Sequence, residues 1–122
     1  METRRKVLMS AYFCEPGIGS EPGLGWNWSL QMARWHDVTV LTRSCGKVAI
    51  EAELAKRRLG LSAPRFIYLD LPPALRSMQN TLAMTYWGYR AWQKAAHRTI
   101  TELLCKAPYD LLHHVTIGTF RC

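Results

Sequence analysis

The chain has 122 residues, of which 48% are hydrophobic and 20% charged, a composition typical of one globular domain and not of a disordered segment. No apolar run approaches the ~20 residues that a membrane-spanning helix needs. The formal net charge of +7 is compatible with anionic partners, but the basic residues are scattered and match no RNA-binding motif, so we expect no nucleic-acid partner.

Hydrophobic patterning divides the chain into alternating short strands and helices. In chain order it predicts a strand over Lys6–Phe13, a helix over Gly23–Arg34, a strand over Asp37–Thr42, a helix over Lys47–Leu59, a strand over Arg65–Leu71, a helix over Leu75–Lys106 and a strand over Leu111–Val115. Ser44 is predicted to cap the second helix. This order predicts an α/β fold, a Rossmann-like open parallel sheet with helices on both faces.

The four cysteines, Cys14, Cys45, Cys105 and Cys122, show neither a CxxC pair nor the spacing of zinc ligands. They favour reduced thiols and no metal site. The residues after Met1 do not form a recognisable signal peptide. We therefore expect a cytoplasmic protein, and a position peripheral to the inner face of the membrane stays open.

The loop between the first strand and the first helix has glycines at positions 17, 19, 23 and 25. It lies at the carboxyl end of a parallel strand, where ligands bind in such sheets. Glycine lets the backbone approach a ligand, and the N–H groups of a helix N-terminus suit a phosphate or another anion. A tight turn with close helix–sheet packing uses the same glycines, so both interpretations stay open.

Two nucleotide-binding motifs do not fit this loop. No lysine follows the glycines as a P-loop requires, and Pro22 occupies the third glycine position of the GxGxxG fingerprint. The second strand ends in Thr42 and Arg43, where an NAD site has an acidic residue. NAD is therefore disfavoured, whereas an NADP-binding oxidoreductase domain that uses Arg43 is an alternative.

The end of the fourth strand carries two adjacent histidines, His113 and His114, which should point to opposite faces of the sheet. A histidine at this edge can shuttle a proton, although the pattern by itself favours a packed, hydrogen-bonded histidine. Arg121 adds a cation that could pair with a phosphate or a carboxylate. Trp26 is the one tryptophan that we expect to reach the ligand edge.

The last predicted helix combines tryptophans with basic residues, from Trp87 to Arg98. Such a segment could lie on a membrane surface. A buried helix with basic outer turns accounts for the same residues. A non-catalytic α/β module that binds a protein or a membrane surface is therefore a further alternative.

Two stretches resemble a bacterial branch of glycosyltransferase family 4. They are Glu15–Trp28, with the sequence EPGIGSEPGLGWNW, and Asp110–Arg121, with the sequence DLLHHVTIGTFR. The linking segments His36–Arg43 and Trp92–Ala96 are similar to that branch as well. The resemblance thus covers essentially the whole chain.

This resemblance implies half of a GT-B architecture, in which two Rossmann-like domains face each other across a cleft. It implies retaining transfer from a nucleotide-sugar to a sugar or lipid-linked acceptor, with no metal and no cofactor beyond the nucleotide-sugar co-substrate. By this likeness the donor diphosphate lies against Gly17, Gly19, Ser20 and Glu21. The likeness also makes His113, beside the glycine loop at one rim of the sheet, the catalytic histidine, with Thr116 and Arg121 nearby. Together with Trp26 and His114, which the residue pattern puts near this edge, Thr116 and Arg121 form the predicted acceptor or cleft edge.

On this resemblance, residues 1–122 form the amino-terminal, acceptor-side domain, and the carboxyl-terminal domain that binds the nucleotide-sugar is absent. The family's carboxylate pair and most of its nucleotide contacts lie in that second domain. We therefore expect the chain to be a fragment that does not transfer sugar at a useful rate by itself.

Overall fold

A computed structural model describes residues 4–76 and 82–115. This part of the chain contains four strands, which are β1 (Lys6–Ala11), β2 (Asp37–Thr42), β3 (Arg65–Tyr68) and β4 (Leu111–Val115). They form one sheet in the order β3-β2-β1-β4, and all neighbouring strands are parallel. The predicted Rossmann-like open parallel sheet is confirmed.

The helices alternate with these strands as predicted. They are α1 (Ser20–Ala33), α2 (Lys47–Arg57), α3 (Pro73–Arg76) and α4 (Leu82–Lys106). The predicted helix over Leu75–Lys106 therefore corresponds to parts of α3 and α4, and residues 77–81 lie outside the described residues. Ser44 does not cap α2 directly, because a short 3-10 turn over Ser44–Gly46 precedes that helix.

The described residues form two separate hydrophobic clusters, one on each face of the sheet. Val7 and Met9 pack with Trp26 of α1 and Ile50 of α2 on one face of the sheet. The opposite cluster contains Trp92 of α4. Because every residue of β1 from Val7 to Ala11 is buried, both faces of the sheet are covered by helices.

Helix α1 begins three residues earlier than its glycine pattern predicts, at Ser20 instead of Gly23. Pro22 lies in the first turn, where a backbone N–H has no intrahelical acceptor, so proline is tolerated there. At the other end, Nη2 of Arg4 donates to the carbonyl oxygens of Ala33 at 2.9 Å and His36 at 2.8 Å. Arg4 thus binds carbonyls that the helix end leaves without intrahelical donors.

Helix α4 is fixed to the sheet by Trp92, whose side chain is fully buried. Its indole Nε1–H donates to the carbonyl oxygen of Leu69 at 2.8 Å, and its ring meets that of Tyr12 edge to face. The contacts of Trp92 hold α4 across the face of the sheet opposite α1.

No helix among the described residues is both long enough and apolar enough to cross a membrane.

The contact between α1 and the end of β1 predicts the effect of a methyl group at Gly25. A Cβ at this position would overlap the carbonyl oxygen of Phe13. We expect Gly25→Ala to lower the free energy of unfolding by about 1–3 kcal/mol, as overpacking does elsewhere, despite the higher helix propensity of alanine. Urea denaturation of the two proteins measures the difference.

The control is Gly19→Ser, because a Cβ at Gly19 would have no described atom within 4 Å apart from its chain neighbours, and its φ of −73° suits any residue. We expect this variant to be as stable as the parent chain or slightly more stable, since serine is a good N-cap. Equal stability of Gly25→Ala and the parent chain would contradict the close packing of α1 on Phe13.

Candidate functional site

The carboxyl ends of the first three strands are tied to one another by side chains. Asp70, which follows β3, accepts hydrogen bonds from the backbone N–H of Ser44 at 3.0 Å and from the Ser44 hydroxyl. Arg43, which follows β2, donates from Nε to the carbonyl oxygen of Tyr12 at 2.9 Å. These bonds form a connected rim at the edge of the sheet where ligands bind in α/β folds.

The glycine loop, defined as residues 14–19, leaves β1 at this rim and leads into α1. The N–H of Glu15, near the start of the loop, donates to the carbonyl oxygen of Pro22 in the first turn of α1, at 2.9 Å. Gly17 has a φ of +79°, a conformation that side chains other than glycine rarely adopt. The loop thus contains one position where the backbone itself requires glycine.

Close packing accounts for two further glycines, which lie in α1 beside the loop. A Cβ at Gly23 would overlap the carbonyl oxygen of Ile18, and one at Gly25 that of Phe13. Gly19 differs from both, because its φ of −73° is ordinary and no described atom lies within 4 Å of a Cβ placed there. Neither backbone conformation nor packing within the described chain explains a glycine at position 19.

Gly19 is the N-cap residue of α1 and has no side chain that could accept from the first turn. The backbone N–H groups of Ser20 and Glu21 therefore have no cap acceptor, and they lie at the positive end of the helix dipole. Pro22 contributes no N–H. The chemistry of this end of α1 suits an anion that accepts two hydrogen bonds.

The prediction that Trp26 reaches the ligand edge is wrong. Its side chain is 3% exposed and belongs to the core between α1 and the sheet, where it stacks on Phe66 of β3. The sequence places Trp26 just after the glycine loop, but it lies on the side of α1 that faces the strands. A residue in this position stabilises the fold and is not accessible to an acceptor.

His113 lies within β4, paired in register with Met9 of β1. Its ring meets that of Trp28 edge to face, with 5.1 Å between centroids. Trp28 is eight residues beyond Ser20, about 12 Å along the helix axis at 1.5 Å per residue. His113 and the glycine loop thus contact the same helix on the same face of the sheet, but His113 contacts it two turns away from the helix N-terminus.

His114 faces the opposite side of the sheet and lines a cavity with residues of α4. The two adjacent histidines therefore point to opposite faces, as predicted. Burial lowers the pKa of His114 from its ordinary value of 6.5, and the neighbouring His113 lowers it further. Thr116 and Arg121, the other residues predicted for the cleft edge, lie outside the described residues.

Arg43, on which the NADP alternative depends, lies against the end of β1. Its guanidinium carbon is 3.8 Å from the centroid of the Tyr12 ring and 4.6 Å from that of Phe13. These contacts, together with the bond to the Tyr12 carbonyl, hold the guanidinium over two aromatic rings. A ribose phosphate at this position would bind an arginine that already has a structural role.

Two residues at the rim, Asp70 and Cys14, are not among the predicted site residues. Asp70 lies near the end of the predicted third strand, Arg65–Leu71, and follows the observed strand β3, so its position at the carboxyl edge was the available signal. Cys14 is buried, and burial together with the neighbouring Cys45 raises the pKa of its thiol to about 12. At neutral pH Cys14 is therefore a protonated thiol without nucleophilic character. Among residues 4–76 and 82–115, no three His, Cys, Asp or Glu side chains are grouped as a metal site.

Comparisons of this chain with protein-family models, with curated proteins and with solved structures find no match. The geometry of the rim and the sequence patterns are therefore the observations that bear on its function. Those observations define an α/β domain with an anion-compatible helix terminus at the carboxyl edge of its sheet.

The lowered pKa of His114 predicts how stability depends on pH. The folded state binds a proton at His114 less readily than the unfolded state, so this group favours folding above pH 6.5. Its contribution is lost as the pH falls from about 6.5 through the lower folded pKa. His114→Gln should therefore show a smaller loss of stability than the parent chain between about pH 7 and pH 5.

Urea denaturation at a series of pH values measures both curves. His113→Gln is the companion variant. It removes the neighbouring histidine, the smaller of the two causes of the lowered pKa of His114, and should therefore weaken the pH dependence only in part. Parallel curves for His114→Gln and the parent chain would contradict a lowered pKa at this residue.

Proposed function

We propose that this chain is the acceptor-side domain of a retaining, nucleotide-sugar-dependent glycosyltransferase with a GT-B architecture. The observation that supports it most is Gly19, where the described chain gives no reason for a glycine at the N-terminus of α1. A diphosphate that approaches the helix end closely would give that reason. The resemblance of Glu15–Trp28 to glycosyltransferase family 4 points to the same ligand.

In this proposal the N–H groups of Ser20 and Glu21 donate to the diphosphate of the donor. The helix dipole and two directed N–H groups favour the negative charge that develops on the leaving nucleotide, without a metal. Gly17 shapes the turn that presents them. A second domain across the cleft holds the sugar and the base of the nucleotide.

The catalytic role of His113 is a proposal that rests on the family resemblance alone. Its edge-to-face contact with Trp28 also fits a packed histidine, which was the alternative interpretation of the sequence. His114, which faces α4, lies on the other side of the sheet from α1 and is not part of the proposed cleft.

Variants at Gly19 test the proposed diphosphate site while preserving the fold. Gly19→Asp places a carboxylate at the N-cap, where it stabilises α1 but repels a second anion. We expect UDP and GDP to shift the backbone amide resonances of residues 17–21 in the parent chain. The dissociation constant should rise about tenfold or more in Gly19→Asp, equivalent to about 1.4 kcal/mol.

The neutral control is Gly19→Asn, which has the same shape as aspartate and also caps the helix. It should weaken binding less than Gly19→Asp, because it adds no charge. Equal weakening by both variants would assign the effect to bulk and not to charge at the helix end. Amide shifts at residues 42–44 with NADPH, and no amide shifts with UDP or GDP, would favour the oxidoreductase alternative instead.

The exposed face of α4 supports a second contact, with an anionic membrane surface. Trp87 is 54% exposed, and Arg90, Lys94 and Arg98 are exposed at four-residue spacing, which places them on one side of the helix. Basic residues near an anionic bilayer contribute about 1 kcal/mol each. We propose that this face holds the domain at a membrane carrying a lipid-linked acceptor.

Co-sedimentation with vesicles of phosphatidylglycerol and phosphatidylcholine tests this contact. Lys94→Glu should reduce the partition coefficient at least fivefold, about 1 kcal/mol, at low ionic strength. Lys56→Glu, an equal change at an exposed lysine of α2, should have little effect. Equal losses for the two variants would show that only the net charge matters and that α4 is not a docking face.

A further inference from the structure

A cavity of about 290 Å³ lies on the face of the sheet opposite the glycine loop, between α4 and the strands β1 and β4. The residues that line it within residues 4–76 and 82–115 are Ser10, Gln93, His97, Ile100, Leu112 and His114. Its volume is near the lower end of the range of small-molecule sites, ~300–1,000 Å³. The cavity is separate from the proposed diphosphate site, since the sheet lies between them.

Two polar groups of the lining residues are buried and have no hydrogen-bond partner within the described part of the chain. They are the hydroxyl of Ser10, whose side chain is 2% exposed, and Nε2 of Gln93. Unpaired buried groups of this kind are rare in folded proteins, because each one costs about 1–3 kcal/mol relative to a satisfied group. Both belong to residues that line the same cavity, so a single ligand could satisfy both after small side-chain rotations.

The described lining combines polar and apolar side chains and includes no Lys, Arg, Asp or Glu. The Ser10 hydroxyl can donate and accept, and the Gln93 amide nitrogen donates. The lowered pKa of His114 favours its neutral ring, which offers one donor and one acceptor. Ile100 and Leu112 add apolar surface beside these groups.

This combination selects against ions and favours a small uncharged molecule that has several hydroxyl groups and an apolar face. A phosphate would find no lysine or arginine among the described lining residues, and a purely apolar ligand would leave the two buried groups unpaired. We propose that the cavity between α4, β1 and β4 binds a neutral monosaccharide unit, through Ser10, Gln93 and the two histidines. The site is independent of the proposed transfer reaction and would exist whether or not the glycine loop binds a diphosphate.

Amide resonances of the ¹⁵N-labelled chain test this inference during titration with glucose, galactose, mannose and N-acetylglucosamine. At least one sugar should give saturable shifts at residues 10, 93, 97, 112 and 114 below about 100 mM, a range that covers millimolar dissociation constants. The shifts should leave residues 14–21 unchanged, which separates this result from the outcome with UDP or GDP.

Substitutions at the two buried groups make the test specific. Ser10→Ala and Gln93→Leu should each raise the dissociation constant of that sugar about fivefold or more, as expected for the loss of one hydrogen bond. Gln31→Leu is the matched control, because Gln31 is an exposed glutamine on α1, on the other face of the sheet. It should leave the dissociation constant unchanged, and dispersed spectra of all three variants show that each is folded.

Three results would overturn the inference. The first is the absence of saturable shifts with all four sugars. In that case water, or a direct hydrogen bond between Ser10 and Gln93, would satisfy the two buried groups. The second is equal weakening by Gln31→Leu and Gln93→Leu. The third is the same set of amide shifts with inorganic phosphate or Zn²⁺ and none with the sugars, which would assign an ion to the cavity.

Discussion

The structure depends on the burial of β1 on both faces. Val7, Leu8 and Met9 are at most 1% exposed, and the strand is paired in parallel with β2 on one side and β4 on the other. A strand in this position requires helices above and below it, and parallel neighbours require the chain to cross back over the sheet between strands. These two requirements bring the ends of the first three strands and the start of α1 to one edge.

The sequence predicted the order and type of the main elements because period and composition are local properties. Asp37–Thr42 and Leu111–Val115 have the predicted bounds. The first and third strands end earlier than predicted, at Ala11 and Tyr68. Tyr12 and Leu69, which follow them, pack in the cluster that contains Trp92 of α4. Pro22 was interpreted as preceding the helix, whereas the first turn of α1 accommodates it.

The site was harder to predict, because it depends on which side of each element faces the sheet. Helical spacing identifies α1 but does not show that Trp26 turns inward and Trp28 towards β4. That outcome is set by the strand order, in which β4 lies beside β1, a contact between residues far apart in the chain. The two buried polar groups at Ser10 and Gln93 could likewise not be predicted, because a hydrophobic pattern does not show which distant residues line the same cavity.

The bond between Glu15 and Pro22 has a consequence for the kinetics of any ligand at the start of α1. It closes the intervening residues into a ring before a ligand arrives, so little conformational entropy remains to be lost on association. Encounter would then be governed by diffusion and by attraction to the helix end, without a slow ordering step. Differences in affinity among ligands of this site would consequently appear in how fast they leave.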